Sequence, residues 1–219
     1  IEQPRHIEIQ ILCDKHGNQI HLGERECSIQ RRYQKVIEEC PSPFVDEDMR
    51  SEMASQALIL AKEVKYDSAG TVEFVVDSKK NFYFLEMNTR LQVEHPVTEL
   101  VTGIDLVEQM ILSADNKKLA IRQEDIKLNG WSVESRIYAE DPTKDFLPSI
   151  GRVTRYIEPK KIEKDYEVIR NDTGISPGSE VSLYYDPMIS KLAVHSKDRI
   201  SAINLMINSL QNYYLSGLE

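Results

Sequence analysis

The sequence predicts an α+β protein, because alternating strands and longer amphipathic helices follow one another along the chain. Arg5–Leu12 alternates apolar and polar residues with the period of two that a half-buried strand requires. Apolar residues recur at helical spacing over roughly 47–65 and again over 198–214. Short strands dominate after Leu128, so we predict two α+β units with a boundary there. The first strand is expected to face solvent through its polar residues, His6, Glu8 and Gln10.

The first unit is predicted to continue through a turn and two capped helices. Residues 14–18 (DKHGN) predict a turn into a returning strand. Asp46 is placed to cap a helix over 47–65, and Asp105 to cap a second helix that runs to about Ala114.

The second unit is predicted to contain short strands and a final helix. The strands are expected over Trp131–Ala139, Val153–Tyr156, Tyr166–Arg170, Val181–Tyr185 and Ser190–His195. The helix is expected over Asp198–Tyr214, with one apolar face made of Ile200, Ile203, Ile207, Leu210 and Tyr214.

The composition argues against several classes of function. The 219 residues are 41% hydrophobic and carry a formal net charge of −9, which disfavours nucleic acid or an anionic membrane as the main partner. No apolar run approaches the ~20 residues that span a bilayer. Cys13, Cys27 and Cys40 form no CxxC pair, which favours inert thiols in a reducing compartment. Ile1 and the lack of a targeting segment indicate a piece of a longer polypeptide.

A predicted hairpin, TVEFVVD-SKKN-FYFLEMN, contains the first candidate site. Counting back from its four-residue loop pairs Val75 with Phe84 and places Glu73 directly opposite Glu86. Like charges in that relation destabilise a strand pair. One carboxylate therefore holds a proton, or a divalent cation lies between the two, unless the pair is simply a solvated surface. Asn88 on the same face favours the cation, because carboxylates and an amide oxygen suit Mg²⁺ or Mn²⁺.

The same strand is predicted to extend the polar row towards His95. Alternate residues share one face of a strand, and here they are Glu86, Asn88, Arg90, Gln92 and Glu94. Arg90 suits a planar anion held bidentately, or else a salt bridge to Glu86 or Glu94. Glu94 is a candidate general base, whereas His95, before a proline, is interpreted as structural. The row predicts metal-assisted chemistry on a phosphorylated or carboxylate-like anion.

Longer motifs resemble the biotin carboxylase family over essentially the whole chain. They are EMNTRLQVEHPVTE (86–99), AGTVEF (69–74), ERECSIQRRYQKVIEE (24–39) and RIYAEDP (136–142). The resemblance implies the C-terminal half of an ATP-grasp domain over 1–128. A biotin carboxylase C-terminal domain, truncated at its end, is implied over 129–219. The family's first domain and its glycine-rich lid are expected elsewhere.

The resemblance implies an ATP-driven carboxylation of biotin by bicarbonate through carboxyphosphate. The implied cofactors are ATP, two Mg²⁺ or Mn²⁺ ions, and biotin on a carrier domain outside this chain. The implied protein partner is a carboxyltransferase β subunit, with no nucleic acid and no membrane. The implied location is the mitochondrial matrix in a eukaryote and the cytoplasm otherwise.

The resemblance also assigns roles to individual residues. The implied metal ligands are Glu73, Glu86 and Asn88. The implied catalytic residues are Arg90, Glu94 as the base, and Arg136 facing the ureido enolate. The implied bicarbonate and biotin contacts are Lys35, Arg90, Gln92, Val93 and Arg136. The implied nucleotide contacts are His6, Gln30, Val75 and Leu85.

Alternative functions remain open at this point. Another ATP-grasp carboxylate ligase fits poorly, because QVEHPVTE and Arg136 occur together. The motifs do not identify the compound that is finally carboxylated, because biotin-dependent acyl-CoA carboxylases and pyruvate carboxylases would share all of them. A non-catalytic assembly module would keep the fold without the chemistry, and the isolated chain is expected to be inactive.

Overall fold

A computed structural model describes residues 2–164 and 166–218 as four α-helices and three β-sheets. The strands are β1 Arg5–Cys13, β2 Gln19–Arg31, β3 Gln34–Cys40, β4 Ser68–Val76, β5 Phe82–Asn88, β6 Trp131–Tyr138, β7 Glu140–Asp141, β8 Leu147–Pro148, β9 Gly151–Ile157, β10 Ile162–Lys164, β11 Glu167–Thr173, β12 Glu180–Val181, β13 Met188–Ser196 and β14 Tyr214–Leu218. The helices are α1 Glu47–Glu63, α2 His95–Thr102, α3 Leu106–Ala114 and α4 Arg199–Gln211. Within the described ranges, no helix combines the length and the hydropathy needed to cross a membrane.

One nine-stranded antiparallel sheet organises the molecule, in the order β10-β11-β13-β6-β3-β2-β1-β4-β5. Strands β3 and β6 join its two halves, with Glu38 opposite Glu134 and Cys40 opposite Ser132. The sheet therefore runs without interruption past residue 128, and the unit boundary there stays a prediction. The smaller sheets are β12-β9-β14 and β7-β8.

Helices cover the large sheet through separate apolar clusters. Met53 of α1 and Ile9 of β1 are both fully buried in one cluster. Ala202 and Met206 of α4 pack with Leu192 of β13 in another. Burying one large aliphatic side chain stabilises a fold by roughly 1.5–3 kcal/mol, so these contacts fix the helices on the sheet.

Several local predictions are confirmed. Asp46 accepts a hydrogen bond from the Met49 N–H at 3.0 Å, and Asp105 accepts one from the Glu108 N–H at 2.9 Å, as N-caps do. All three cysteines are buried free thiols. Burial raises the pKa of the Cys13 thiol to about 12, which keeps it protonated and unreactive.

Two predictions near the end of the chain are wrong. Only Val181 of the predicted strand 181–185 pairs, and Tyr184 is 92% exposed in the turn that follows. Helix α4 ends at Gln211, and Tyr214 begins β14. The predicted apolar face of α4 is also misplaced, because Ile200 is 65% exposed. The small side chain of Ala202 lets the helix approach the sheet closely on another face.

The polar row after β5 is not a strand. β5 ends at Asn88, and α2 begins at His95 with Pro96 in its first turn. The predicted pairing of Glu73 with Glu86 is confirmed, but Phe74 pairs with Phe84 because the register shifts beyond that pair. The extra residue is Leu85, a β-bulge that turn counting does not detect.

The polar face of β1 is buried, contrary to the prediction of a half-buried strand. Glu8 and Gln10 are 0% and 1% exposed. Polar side chains of β2, β4 and the segment before α2 surround them. Alternation along β1 therefore separates an apolar core on one face from a buried polar cluster on the other.

Gly130 permits the close approach at the start of β6. Its φ is +71°, and a Cβ there would lie 2.4 Å from the Ser196 carbonyl oxygen. Gly103, at the C-terminus of α2, has a similar φ of +73°, but a Cβ at that position would have no neighbouring atom within 4 Å.

Gly130→Ala is expected to destabilise the chain more than Gly103→Ala. Both substitutions force alanine into the left-handed region of backbone conformation, which costs about 1–2 kcal/mol of stability. Only at Gly130 would the new Cβ also collide with a backbone atom. Urea unfolding followed by circular dichroism compares the two variants. Equal losses of unfolding free energy would contradict the packing argument.

Candidate active site

A polar recess of about 310 Å³ opens where β1–β6 meet the segment before α2. Two hairpins and the β5–α2 connection bring together residues that are far apart in the chain. The residues that line it are His6, Gln30, Tyr33, Gln34, Lys35, Glu73, Glu86, Asn88, Arg90, Gln92, Val93, Glu94, Arg136, Tyr138 and Asp186.

Arg25 forms the base of the site from beneath the sheet surface. Its guanidinium is fully buried and donates to Glu8 Oε1 at 2.6 Å and to Gln92 Oε1 at 2.8 Å. Three further bonds go to the side-chain oxygens of Gln10, Thr71 and Thr98. Because the guanidinium is planar and multiply donating, it fixes β1, β4 and α2 relative to one another.

Lys35 connects this base to the recess. Its Nζ lies 2.6 Å from Glu8 Oε2, 2.8 Å from Glu73 Oε1 and 2.6 Å from Glu94 Oε1. Burial by itself lowers the pKa of Lys35, but the carboxylates of Glu8 and Glu94 outweigh burial and raise it. Lys35 therefore stays a cation in the site.

Glu94 is a buried carboxylate held by two cations from different parts of the chain. Lys35 donates to Oε1, and Arg136 Nη2 donates to Oε2 at 2.9 Å. Arg136 also donates through Nε to Glu38 Oε1 at 2.6 Å. Both oxygens of Glu94 are thus fixed in position at the wall of the recess.

The Glu73–Glu86 pair is bridged by Asn88. Asn88 Nδ2 lies 3.1 Å from an oxygen of each carboxylate. His6 Nε2 lies 2.9 Å from the other oxygen of Glu73. Burial alone raises the pKa of Glu73, but His6 and Lys35 lower it to about 2. Asn88 presents its amide nitrogen to the two carboxylates, so its oxygen would have to turn towards them to bind a metal. With that turn, two carboxylates and an amide oxygen form a hard-cation ligand set that fits Mg²⁺ or Mn²⁺.

Hydrogen bonds to neighbouring side chains hold the segment between β5 and α2 in place. Gln92 is buried and donates to Glu73 Oε1 at 2.8 Å while accepting from Arg25. The Val93 carbonyl accepts from Lys191 Nζ at 2.8 Å. His95 Nδ1 lies 2.8 Å from the Gln92 carbonyl oxygen, which supports the structural interpretation of this histidine.

Arg90 points into the recess without a carboxylate partner. Its guanidinium donates to Asn88 Oδ1 at 3.2 Å and to the Leu91 carbonyl at 3.3 Å. Among residues 2–164 and 166–218, no acidic oxygen lies within 4.0 Å of it, so the alternative of a salt bridge to Glu86 or Glu94 is wrong. A guanidinium at a site edge that has no carboxylate partner is suited to bind an anion.

The structure brings most of the predicted site residues together, with two exceptions. Val75 and Leu85, the expected adenine contacts, lie further along β4 and β5 and do not line the recess. Sequence reasoning missed Arg25 and Glu38. Arg25 lies in a run of charges that is typical of an exposed strand, and Glu38 lies in a second such run.

Two family models match consecutive parts of the chain. The model of the carbamoyl-phosphate synthase L chain, ATP binding domain, matches residues 1–122. The model of the biotin carboxylase C-terminal domain matches residues 134–219.

The chain belongs to the biotin carboxylase family. Its fold is accordingly part of an ATP-grasp domain followed by a biotin carboxylase C-terminal domain, as the resemblance implied. It is 60% identical over its full length to the mitochondrial propionyl-CoA carboxylase alpha chain of Caenorhabditis elegans, of which it covers 30%. It is 50% identical to biotin carboxylase 2 of Bacillus subtilis and covers 48% of that protein.

A solved structure closely matches the fold. The biotin carboxylase domain of Hydrogenobacter thermophilus 2-oxoglutarate carboxylase superimposes with a TM-score of 0.95 and 49% identity. The match covers 100% of this chain and 47% of that one, whose structure contains MgADP and bicarbonate. The chain thus spans between about a third and half the length of these relatives.

Glu8→Gln is expected to destabilise the chain at neutral pH. The substitution removes the carboxylate that Arg25 and Lys35 share. Breaking a buried ion pair typically lowers the free energy of unfolding by about 3–5 kcal/mol. Burial raises the pKa of Glu8, but Arg25 and Lys35 outweigh burial and lower it from 4.5 to about 2. The contribution of Glu8 is therefore complete above pH 4.5 and is lost as the pH falls towards 2.

Urea unfolding from pH 7 down to pH 3 provides the measurement. The difference in unfolding free energy between wild type and Glu8→Gln should be constant down to about pH 5 and should decrease below that pH. Glu63→Gln, an exposed position at the end of α1, is the control. A difference that does not depend on pH would show that Glu8 acts through packing and not through charge.

Proposed function

We propose that this chain carries the metal-binding and bicarbonate-binding part of a biotin carboxylase, a ligase that carboxylates biotin at the expense of ATP. The observation that carries the proposal is Glu94, whose two oxygens are fixed by Lys35 and Arg136 beside the Glu73–Glu86 pair. Membership of the family and the donor set of the recess both support it.

Glu94 is the proposed base that takes the proton of bicarbonate. Its carboxylate is nearly excluded from water, with an exposure of 2%, and so presents a fixed oxygen to a bound anion. Arg90, whose guanidinium has no carboxylate partner among the described residues, is proposed to hold the bicarbonate oxygens and the ureido group of biotin. Lys35 adds positive charge at the same wall of the recess.

Arg136 is proposed to stabilise the negative charge that develops on the ureido oxygen. A preorganised guanidinium costs no reorganisation when the charge appears. Gln92 and the Val93 backbone are proposed bicarbonate contacts, and Gln92 also orients Glu73. His6 and Gln30 line the recess as proposed nucleotide contacts, with Val75 and Leu85 further away.

Glu73, Glu86 and Asn88 are the proposed ligands of two Mg²⁺ or Mn²⁺ ions. When bound, the ions would neutralise phosphate oxygens of ATP. The residues themselves supply two carboxylates that already converge and, after rotation of the Asn88 side chain, an amide oxygen.

The parent enzyme is proposed to be propionyl-CoA carboxylase. Support comes from the 60% identity to an alpha chain of that enzyme, compared with 50% to biotin carboxylase 2. The proposed partners are carrier-linked biotin and a carboxyltransferase β subunit, and the proposed location in a eukaryote is the mitochondrial matrix. Another biotin-dependent acyl-CoA or pyruvate carboxylase is the alternative.

The isolated chain is proposed to be inactive. It spans 48% of biotin carboxylase 2, so turnover is expected only in a polypeptide that contains the rest of such a unit. Assays of the function accordingly use the complete biotin carboxylase polypeptide.

Glu94→Gln is expected to abolish biotin-stimulated ADP formation from Mg-ATP and bicarbonate. The amide keeps the size of the side chain but cannot take a proton, and general base catalysis typically contributes ~10²–10⁴-fold. ADP release with and without free biotin is measured for wild type, Glu94→Gln and the exposed control Glu63→Gln.

Three outcomes of this assay lead to different conclusions. Turnover that collapses only in Glu94→Gln supports the proposed base. Equal turnover in Glu94→Gln and wild type would remove Glu94 from the mechanism. A folded wild type without turnover would favour a non-catalytic assembly module.

Glu86→Gln is expected to raise the Mg²⁺ concentration needed for half-maximal ADP formation. Removing a direct carboxylate ligand should weaken Mg²⁺ binding by more than the ~10-fold that is typical of removing a residue that only hydrogen-bonds to a ligand. A Mg²⁺ titration at saturating ATP is the measurement, with the exposed Glu52→Gln of α1 as the control. An unchanged Mg²⁺ requirement would exclude Glu86 as a ligand.

A further inference from the structure

A second pair of opposed carboxylates lies behind the recess. Glu38 of β3 and Glu134 of β6 stand directly opposite each other in the antiparallel register. Both side chains are fully buried, at 0% exposure. Side chains in that relation have Cβ atoms about 4.5–5.5 Å apart, so the two carboxyl groups are neighbours.

The hydrogen-bonding capacity of this pair is largely unused. Glu38 Oε1 accepts from Arg136 Nε at 2.6 Å, but Glu38 Oε2 has no donor among the described residues. Neither oxygen of Glu134 has one within the same ranges. A buried carboxylate without a donor is far more costly than a protonated carboxyl group, which supplies its own donor.

Positive and negative groups both lie around the Glu38–Glu134 pair. The positive groups that act on it are Arg136 and Lys191, and the negative groups are Glu94 and Glu8. Lys191, on β13 beside Arg136, is occupied by the Val93 carbonyl oxygen at 2.8 Å and by Asp172 at 3.6 Å. Neither cation is therefore available to neutralise Glu134 alone.

Burial and mutual repulsion favour protons on both groups, to different degrees. Burial, followed by the Glu38 charge, raises the pKa of Glu134 well above its usual range. Burial also raises the pKa of Glu38, but the adjacent Arg136 limits the rise to about 7. Above about pH 7 the pair therefore holds one proton, mainly on Glu134, while Glu38 carries the charge.

We propose that Glu38 and Glu134 hold one proton between them, and that charged Glu38 is the positioning residue that orients the Arg136 guanidinium towards Glu94. The part of this inference that concerns Arg136 rests on the proposed biotin carboxylase function. Uptake of a second proton by the pair removes the charge on Glu38. Arg136 then keeps only one of its two anionic partners, Glu94, and the reaction slows as the pH falls.

Infrared spectroscopy tests the shared proton without any assay of activity. The complete biotin carboxylase polypeptide at pH 7.5 should show the carbonyl stretch of a protonated carboxylic acid, shifted after exchange into D₂O. Glu134→Gln should lose this band, whereas exposed Glu63→Gln should retain it. A wild-type spectrum without the band, or a Glu134→Gln spectrum that retains it, would overturn the shared proton.

Kinetics test the positioning role. Glu38→Gln keeps an acceptor for Arg136 Nε but removes the charge, so kcat at pH 8 should fall by about tenfold or more, as for other outer-shell partners. KM for Mg-ATP should stay within about twofold. Wild type should lose kcat as the pH falls through about 7, and Glu38→Gln should lack that limb. Glu134→Gln should lower kcat less than Glu38→Gln, because an amide replaces an already neutral group.

The two tests separate failure of this inference from failure of the proposed function. An infrared band assigned to Glu134 in a polypeptide that does not carboxylate biotin would uphold the shared proton and overturn only the role at Arg136. Equal losses of kcat in Glu38→Gln and Glu134→Gln, with unchanged pH profiles, would reduce the pair to a packing role and overturn the positioning.

Discussion

The buried ion pair between Arg25 and Glu8 is the interaction on which the site depends. Removing two charges from water costs several kcal/mol per ion, and only good geometry with further hydrogen bonds offsets that cost. Arg25 meets this condition by making five side-chain bonds from a fully buried position. Through Glu8 it holds Lys35, and through Gln92 it holds Glu73, so the walls of the recess are oriented from below.

Two opposed acidic pairs in one sheet meet the same physical problem in different ways. Glu73 and Glu86 lie at the recess, where Asn88, Lys35 and His6 surround them and a cation can enter. Glu38 and Glu134 lie deeper and are fully buried, and one shared proton is the proposed remedy for their repulsion. One sheet thus carries both acidic pairs, one on β3 and β6 and the other on β4 and β5.

Local periodicity predicted more of the fold than of the site. The helix starts at Asp46 and Asp105 and the opposition of Glu73 to Glu86 follow from neighbouring residues, and the structure confirms them. The β-bulge at Leu85 and the end of β5 depend on tertiary contacts that alternation does not report. Arg25 was missed for a similar reason: a charged residue in a strand normally faces solvent, and nothing local indicates the buried partners on β1 and α2.

The uninterrupted sheet has a consequence for how the chain can be divided. Strands β3 and β6 are neighbours, so a cut near residue 128 would separate the sheet into five strands and four. Each piece would present an open edge with unpaired backbone donors and acceptors, a template for aggregation. Glu94 would also be parted from Arg136. The two regions matched by separate family models therefore share one hydrogen-bonded sheet and are poor candidates for exchange between homologues as independent modules.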